Sequence, residues 1–185
     1  MGDEKKFLAN LEFGVATFQD LKQKQVLSVS HNDGDGLTSS AIICKTMAFL
    51  NVPFIQRIFD RSESWDTYFT KQLAGNPSIN IIFITDLGAD EKQLSEFFKK
   101  RPDITVIILD HHKIPENERV VDYPDNVHSM NATRFGYDGL TEIAGSTLAY
   151  LYCERLTPRA RKLSWLPVIG MAGDSLKTYE KYKSF

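Results

Sequence analysis

Acidic and histidine side chains cluster where the first predicted strand of this sequence ends. In the stretch VLSVSHNDGDGLTSSAIICK, an apolar run over residues 26–30 is followed directly by His31, Asp33 and Asp35. Carboxylate oxygens and imidazole nitrogens suit Mn²⁺, Zn²⁺, Fe²⁺ and Co²⁺ as ligands. Carboxylates held close together repel one another, and a divalent cation removes that repulsion. The stretch therefore predicts metal ligands, although Asp-Gly pairs are also common in ordinary turns.

Other apolar runs of the chain end in the same kinds of residue. These are Asp86 after INIIFIT, Asp110, His111 and His112 after ITVIIL, and Asp174 after a small-residue step that follows the last long helix. Asp86 alone could simply cap the next turn, but two adjacent histidines after a buried strand have little packing purpose. Two cations about 3.5–4 Å apart, bridged by one carboxylate, can activate a water molecule and bind a phosphoryl group.

Helices and strands alternate along the chain, which indicates a doubly wound α/β fold with a mostly parallel sheet and helices on both faces. Hydrophobic periodicity predicts helices over 4–24, 37–50, 64–73, 90–99, 141–155 and 158–172, and strands over 26–30, 54–59, 79–85 and 104–109, with one short strand near 119–121. No linker divides residues 1–185, so a single domain is expected. Sites in such sheets form beyond the carboxyl ends of the strands, where the polar residues fall.

Composition excludes some classes of function. A net charge of −2 gives no overall basic field for nucleic acid, so a nucleic-acid substrate would need a local groove or metal ions. No apolar run reaches the ~20 residues of a membrane span. Cys44 and Cys153 lie far apart in apolar helical contexts and are expected to be buried free thiols, which points to the reducing cytosol.

The motifs together resemble those of the DHH phosphoesterase superfamily, whose signature is Asp110-His111-His112. SHNDGDGLTS, ITDLG and GMAGDS resemble its first, second and fourth motifs. The His-x-Asp-x-Asp spacing is most similar to that of archaeal RecJ-like nucleases. NATRFGYDGLTEIAGSTLAY resembles their pattern between motifs three and four, except that Asn131-Ala132 stands where the pattern usually has Asn-Pro.

This resemblance implies roles for the clustered residues. The implied metal ligands are His31, Asp33, Asp35, Asp86, His111 and Asp174, for two ions that are expected to be Mn²⁺, with Mg²⁺ or Co²⁺ as alternatives. Asp86 would bridge the ions. Asp110 would orient an imidazole, and His112 would face the scissile phosphate as a hydrogen-bond donor.

Substrate contacts are predicted at four further positions. Ser39 could touch phosphate, but serines near the start of a helix usually only cap it. Gly145 and Ser146 lie early in a predicted helix and could hold phosphate through backbone N–H groups, or could simply pack closely. Arg134 could contact backbone phosphates or merely face water.

Three functions are consistent with these motifs. The resemblance favours a Mn²⁺-dependent exonuclease acting on single-stranded DNA or RNA. A replication scaffold that binds the GINS complex is the second possibility, and a small-phosphoester hydrolase is the third. RecJ-like proteins continue into a C-terminal DHH-associated domain that nothing in residues 1–185 matches, so weak and poorly processive cleavage is expected.

Overall fold

The computed structural model describes residues 2–19, 25–59, 61–87, 90–116 and 121–174. The helices are α1 (Glu4–Gln19), α2 (Gly34–Leu50), α3 (Trp65–Gly75), α4 (Glu91–Lys99), α5 (Gly145–Leu156) and α6 (Leu166–Gly173). The strands are β1 (Gln25–Ser30), β2 (Phe54–Ile58), β3 (Ile79–Thr85), β4 (Thr105–Asp110) and β5 (Val127–Asn131). Short 3₁₀ helices cover Ala132–Phe135 and Pro158–Leu163. Among the described residues, no helix has both the length and the apolar character needed to cross a membrane.

The five strands form one parallel sheet in the order β2-β1-β3-β4-β5. This confirms the predicted α/β class. Strand β1 lies between β2 and β3. Strand β2 is added on one side of β1, and β3, β4 and β5 are added in turn on the other side, so the direction of the strand order reverses at β1. The resulting crevice at the carboxyl ends of β1 and β3 is where open α/β sheets bind their ligands.

Each face of the sheet has its own hydrophobic core, and strand β3 shows why. Its side chains alternate between the faces: Ile81 and Phe83 belong to one core, and Ile82 and Ile84 to the other. A strand buried on both faces gives the continuous apolar run INIIFIT. Helices α1, α2 and α5 cover the first face, whereas α3 and α4 cover the second.

The chain after β4 differs most from the prediction. The fifth strand is Val127–Asn131, whereas the strand predicted near residues 119–121 lies mostly outside the described residues. The predicted helix over 141–155 begins at Gly145, and the one over 158–172 is a 3₁₀ helix followed by α6. The interruption precedes Pro167, which sits in the first turn of α6 and cannot donate a backbone hydrogen bond.

Candidate metal centre

His31, Asp33 and Asp35 lie where β1 passes into α2. Asp33 is the N-cap of α2, and its Oδ1 accepts a hydrogen bond from the Gly36 N–H at 2.9 Å. This bond satisfies one of the unpaired N–H groups at the start of the helix. The other carboxylate oxygen, Oδ2, lies 2.6 Å from Nδ1 of His31. The cap therefore fixes Asp33 and presents one of its oxygens to the strand ends.

Asp86 occupies the centre of the cluster, directly after β3. Its φ of 61° is left-handed, a conformation that Asp and Asn tolerate better than most residues. Its backbone N–H donates to the Leu109 carbonyl at 3.0 Å, which ties the turn to β4. The side chain is 1% exposed, and Oδ2 has no hydrogen-bond partner among the described residues. Oδ2 lies 3.7 Å from Nδ1 of His31, beyond hydrogen-bond distance, and a buried carboxylate oxygen without a hydrogen bond is costly unless a cation compensates it.

His111 turns one ring nitrogen toward three carboxylates. Its Nδ1 donates a hydrogen bond to the Gly139 carbonyl at 2.8 Å. This contact orients Nε2 toward the cluster, where it lies 3.1 Å from Asp86 Oδ1, 3.3 Å from Asp174 Oδ2 and 3.6 Å from Asp35 Oδ2. A backbone acceptor behind the ring is the usual arrangement for a histidine that binds a metal.

Asp110 and His112 form a separate pair at the end of β4. Asp110 is fully buried, and its Oδ1 lies 2.8 Å from Nδ1 of His112. The backbone N–H of His112 donates to Asp110 Oδ2 at 3.2 Å. The same ring nitrogen is 3.6 Å from Asp86 Oδ1, so His112 borders the cluster while it is held by Asp110.

Burial and charge shift the pKa values of the clustered groups. Burial, followed by the nearby charges of Asp35 and Asp33, raises the pKa of Asp86 to about 7. Burial lowers the pKa of His111, but its hydrogen bond to Asp86, the charge of Asp110 and the Gly139 carbonyl outweigh this effect and raise it to about 10. Burial and the charge of Asp35 also raise the pKa of Asp174. The pKa values of Asp86 and Asp174 are thus raised because burial disfavours their charged forms and neighbouring carboxylates repel them.

The donor set fits divalent cations. Three overlapping groups each offer one ligand atom per residue, with all atoms of a group within 4.8 Å of one another. The groups are His31, Asp33 and Asp86; Asp86, His111 and His112; and Asp35, His111 and Asp174. Asp86 and His111 belong to two groups each, and the buried Asp86 Oδ2, which accepts no hydrogen bond from the described residues, lies 3.7 Å from His31 Nδ1. Oxygen and imidazole ligands without thiolate suit Mn²⁺, Mg²⁺ or Co²⁺ better than a structural zinc ion.

The start of α5, where phosphate contacts of Gly145 and Ser146 are predicted, binds Asp35. The backbone N–H of Gly145 donates to Asp35 Oδ2 at 2.7 Å, and that of Ser146 donates to Oδ1 at 3.0 Å. These N–H groups therefore already have a side-chain acceptor, and their contact with phosphate stays a prediction. Asp35 is 0% exposed, and the helix N-terminus stabilises its negative charge. Each carboxylate oxygen keeps a second lone pair for a metal.

Helix α6 packs against Asp35 through a glycine, which gives a first prediction. A Cβ at residue 170 would lie 2.5 Å from Asp35 Oδ1 and 2.6 Å from Thr38 Oγ1. Gly170→Ala should therefore lower the free energy of unfolding by about 1–3 kcal/mol and weaken metal binding, because overpacking moves Asp35. Urea denaturation and Mn²⁺ titration measure both effects.

Gly75→Ala is the matched control for this prediction. Gly75 is the last residue of α3, and a Cβ there meets no atom within 4 Å. The Gly75→Ala variant should be as stable as the wild type or slightly more stable, because alanine is the better helix former. Equal stability of the two variants would contradict the proposed close packing at Gly170.

The structure also shows the surroundings of the two other predicted phosphate contacts, Ser39 and Arg134. Ser39 is 0% exposed, and its contact with phosphate stays a prediction. Arg134 donates to the fully buried carboxylate of Glu91 through Nε at 3.1 Å and Nη2 at 2.5 Å, and Nη2 lies 2.8 Å from the Tyr123 hydroxyl. Arg134 also lines a cavity of about 350 Å³ with Lys113, but its main contact is this internal ion pair.

Removal of Arg134 should destabilise the fold. Arg134→Met leaves the Glu91 carboxylate buried without its cation and should lower the free energy of unfolding by roughly 3 kcal/mol. The double variant Glu91→Gln/Arg134→Met should recover most of this loss. Urea denaturation measures both, with Arg161→Met as control, since Arg161 pairs with Glu154 at the surface. Equal urea midpoints for Arg134→Met and the control would contradict a structural role.

Some contacts at the centre could not be found by sequence reasoning. Nothing in the sequence links the Gly139 carbonyl to His111 or the Gly145 N–H to Asp35, because the partners are 28 and 110 residues apart in the chain. Asn131 hydrogen-bonds Asp110, and the only signal for it was its place in the family-like stretch NATRFGYDGL.

The parallel sheet and its cluster of carboxylates and histidines define a class of protein. Comparison with known proteins identifies the family. The chain belongs to the DHH family, because the model of that family's N-terminal domain matches residues 25–170. An uncharacterised protein of Methanocaldococcus jannaschii is 28% identical over 148 residues, which are 79% of this chain and 32% of the relative. The chain thus spans about a third of the length of this curated relative.

Solved structures with the same fold include two of RecJ. A structure of exonuclease RecJ bound to manganese superimposes with a TM-score of 0.71 at 21% identity, covering 92% of this chain and 44% of that one. RecJ of Thermus thermophilus in complex with Mn²⁺ gives 0.65 at 20% identity, with coverages of 88% and 24%. CDC45 of Entamoeba histolytica gives 0.65 at 16% identity, with coverages of 95% and 35%. At these identities the likeness establishes a shared fold.

Proposed function

We propose that this chain is a metal-dependent phosphodiesterase that removes nucleotides from an end of single-stranded DNA or RNA with the help of two Mn²⁺ ions. The observation that carries the proposal is the buried Oδ2 atom of Asp86. It has no hydrogen-bond partner among the described residues, although potential ligands from two other parts of the chain, His31 with Asp33 and His111 with His112, are grouped with Asp86. A position between two cations would satisfy this atom.

The two ions would share Asp86. His31 and Asp33 would bind one of them, and Asp35, His111 and Asp174 would bind the other. Two bound ions lower the pKa of a water molecule and neutralise the oxygens of a phosphoryl group. The Asp33 cap, the Gly139 carbonyl and the start of α5 hold the ligands in place before the ions arrive.

His112 would donate a hydrogen bond to the phosphate. Its Nδ1 faces Asp110, so the other ring nitrogen, Nε2, is left for the substrate. The hydrogen bond to Asp110 raises the pKa of His112, which favours a protonated ring at neutral pH. A positioned donor of this kind stabilises charge that develops on a phosphate oxygen. The side chain is 38% exposed and can therefore be reached by substrate.

The comparisons support the choice of metal and of reaction. The RecJ structures with this fold are described as an exonuclease and as complexes with manganese. Membership of the DHH family agrees with phosphoester hydrolysis. The polar cluster lies where β1 and β3 end, so an extended strand could enter along the crevice without a basic surface over the whole chain.

A replication scaffold is the second candidate. It rests on the likeness to CDC45, which covers 95% of this chain, and on the resemblance of archaeal RecJ-like proteins to factors that bind GINS. A scaffold has no need for a complete ligand set. The cluster of His31, Asp33, Asp35, Asp86, His111 and Asp174 therefore favours the enzyme, and it leaves room for one chain to have both roles.

End-labelled single strands test the proposed activity. The protein is incubated with DNA or RNA in Mn²⁺, Mg²⁺, Co²⁺ or EDTA, beside Asp33→Asn, which keeps the helix cap because Asn and Asp cap equally well. We expect nucleotide ladders with Mn²⁺ from the wild type and at least ~100-fold less product from the variant, the loss typical of a damaged metal site. Intact strands in every metal would exclude the nuclease. Cleavage of dinucleotides or pyrophosphate alone would identify a small-phosphoester hydrolase.

A further inference from the structure

Asn131, at the carboxyl end of β5, connects Asp110 and His112. It is fully buried. Its Nδ2 donates to Asp110 Oδ2 at 3.0 Å and to the backbone carbonyl of His112 at 3.0 Å. A single amide group therefore holds both the carboxylate that contacts the His112 ring and the backbone that carries the ring.

The remaining contacts of Asn131 fix the direction in which its amide points. Its Oδ1 accepts hydrogen bonds from the backbone N–H of Thr133 at 3.0 Å and from the Thr133 hydroxyl at 2.6 Å. With acceptors on one side and donors on the other, only one orientation of the amide satisfies all four contacts. Asp110 must then turn Oδ2 toward Asn131 and Oδ1 toward His112 Nδ1.

The segment that carries Asn131 is held on both sides by the carboxylate of Glu91. Ser129, two residues before Asn131, donates to Glu91 Oε1 at 2.7 Å. Arg134, three residues after it, pairs with Glu91 Oε2 at 2.5 Å. Glu91 is fully buried in the first turn of α4. A buried and fully hydrogen-bonded network of this kind is rigid, so Asn131 has little freedom to move.

We propose that Asn131 is a positioning residue that orients His112 toward the substrate, acting through Asp110 and through the backbone of His112. The inference rests on the proposed phosphodiesterase activity for the importance of His112, but its structural claim can be measured without substrate. Asn131 does not touch the metal ligands in this scheme. Its loss should therefore slow the chemical step without releasing metal.

The chain offers a matched control for Asn131. Asn126 lies just before β5, at the end of the strand away from the cluster, and its Nδ2 donates to the carbonyls of Phe98, Arg101 and Ile104 at 3.2, 3.0 and 2.7 Å. Asn131→Asp and Asn126→Asp make the same change of side chain, and each replaces a donor by a carboxylate that faces oxygen atoms. Only the former should affect His112.

The first experiment measures the rate of hydrolysis of a chromogenic phosphodiester, bis(p-nitrophenyl) phosphate, in saturating Mn²⁺. We expect Asn131→Asp to lower kcat by ~10–100-fold, the usual loss when the partner that orients an active-site group is removed, with KM and Mn²⁺ affinity changed less than about twofold. Asn126→Asp should keep the kcat of the wild type per folded molecule. Equal losses of kcat in both variants would overturn the proposal.

A second pair of variants, at Thr133, tests the proposal if Asn131→Asp does not fold. Thr133→Val removes the hydroxyl that holds Asn131 Oδ1, whereas Thr133→Ser keeps a hydroxyl at the same place. We expect the valine variant to lose several-fold in kcat and the serine variant to behave as the wild type. Indistinguishable kcat values for the two Thr133 variants would overturn the proposed orienting role.

NMR of the histidine rings, recorded in Mg²⁺ without substrate, separates this proposal from the proposed activity. The ring nitrogen and carbon shifts of His112 report which nitrogen carries the proton. They should change in Asn131→Asp or Thr133→Val and stay unchanged in Asn126→Asp and Thr133→Ser. If the wild type cleaves no phosphodiester, the proposed function fails, while a changed His112 signal still supports positioning by Asn131. An unchanged His112 signal in the Asn131 and Thr133→Val variants overturns it, whatever the activity.

Discussion

Replacing Asp86 by Asn should reduce Mn²⁺-dependent hydrolysis of single strands by at least ~10³-fold while the protein stays folded. The loss is expected because a neutral amide cannot bridge two cations, and the buried Oδ2 atom that carries the proposal is removed. The fold should persist because Asn has nearly the same shape as Asp and tolerates the left-handed φ of 61°. Initial rates measure the first effect, and circular dichroism with thermal unfolding measures the second.

Two comparison variants make this result interpretable. Asp103→Asn makes the same change at an exposed surface pair with Arg101, 2.9 Å away, and should retain full activity, because surface ion pairs contribute little. Asp86→Ala should lose activity because it has no carboxylate. It should also lose stability, because alanine adopts a positive φ at a cost of ~1–2 kcal/mol. A fully active Asp86→Asn enzyme would show that hydrolysis takes place elsewhere in the protein.

Addition of Mn²⁺ should stabilise the folded protein strongly. An ion that binds only the folded state at 100 times its Kd contributes about 2.7 kcal/mol. In a chain of 185 residues, that corresponds to a rise in Tm of roughly 5–10 °C. The physical reason is that, without metal, burial and the repulsion of Asp35 and Asp33 disfavour the charged form of Asp86 and raise its pKa to about 7. Thermal unfolding across a Mn²⁺ titration, reversed by EDTA, measures the effect.

The same titration on Asp86→Asn tests whether the stabilisation comes from this cluster. We expect the variant to lose most of the rise in Tm, whereas Asp103→Asn should keep it. Identical rises in the wild type and in Asp86→Asn would place the bound ion elsewhere. No rise in Mn²⁺, Mg²⁺ or Co²⁺ would contradict the metal centre itself.

The parallel core and the position of the cluster could be predicted because the signals are local. INIIFIT and ITVIIL are long apolar runs, and a strand buried on both faces has few other sequences available. The polar residues directly after them are placed by the chain itself, so Asp86 and His111 come together once the strands are parallel neighbours. The predicted α/β class and the resemblance to the DHH superfamily are both confirmed. The individual ligand roles remain predictions.

The contacts that were missed depend on long-range packing. Strand β5 has the sequence VHSMN, in which polar residues interrupt the apolar pattern, and it is a strand because it pairs with β4 at the edge of the sheet. Arg134 appeared exposed from its place in a polar stretch, but its partner Glu91 lies 43 residues away. The start of α5 looked like a phosphate site because its partner, Asp35, is 110 residues distant from Gly145. Local sequence patterns do not predict contacts between residues that are so far apart in the chain.

The wide separation of Asp35 and Asp174 along the chain has a consequence for biosynthesis. Asp35 is synthesised early, but the N–H groups that hold it come from the start of α5, and Asp174 follows α6. At ~5–20 residues per second, the ribosome exposes the apolar strands several seconds before the last ligand emerges. The proposed ligands therefore cannot come together in a nascent chain until α6 and Asp174 have been synthesised. A chain arrested before α6 lacks both Asp174 and the packing of α6 against Asp35.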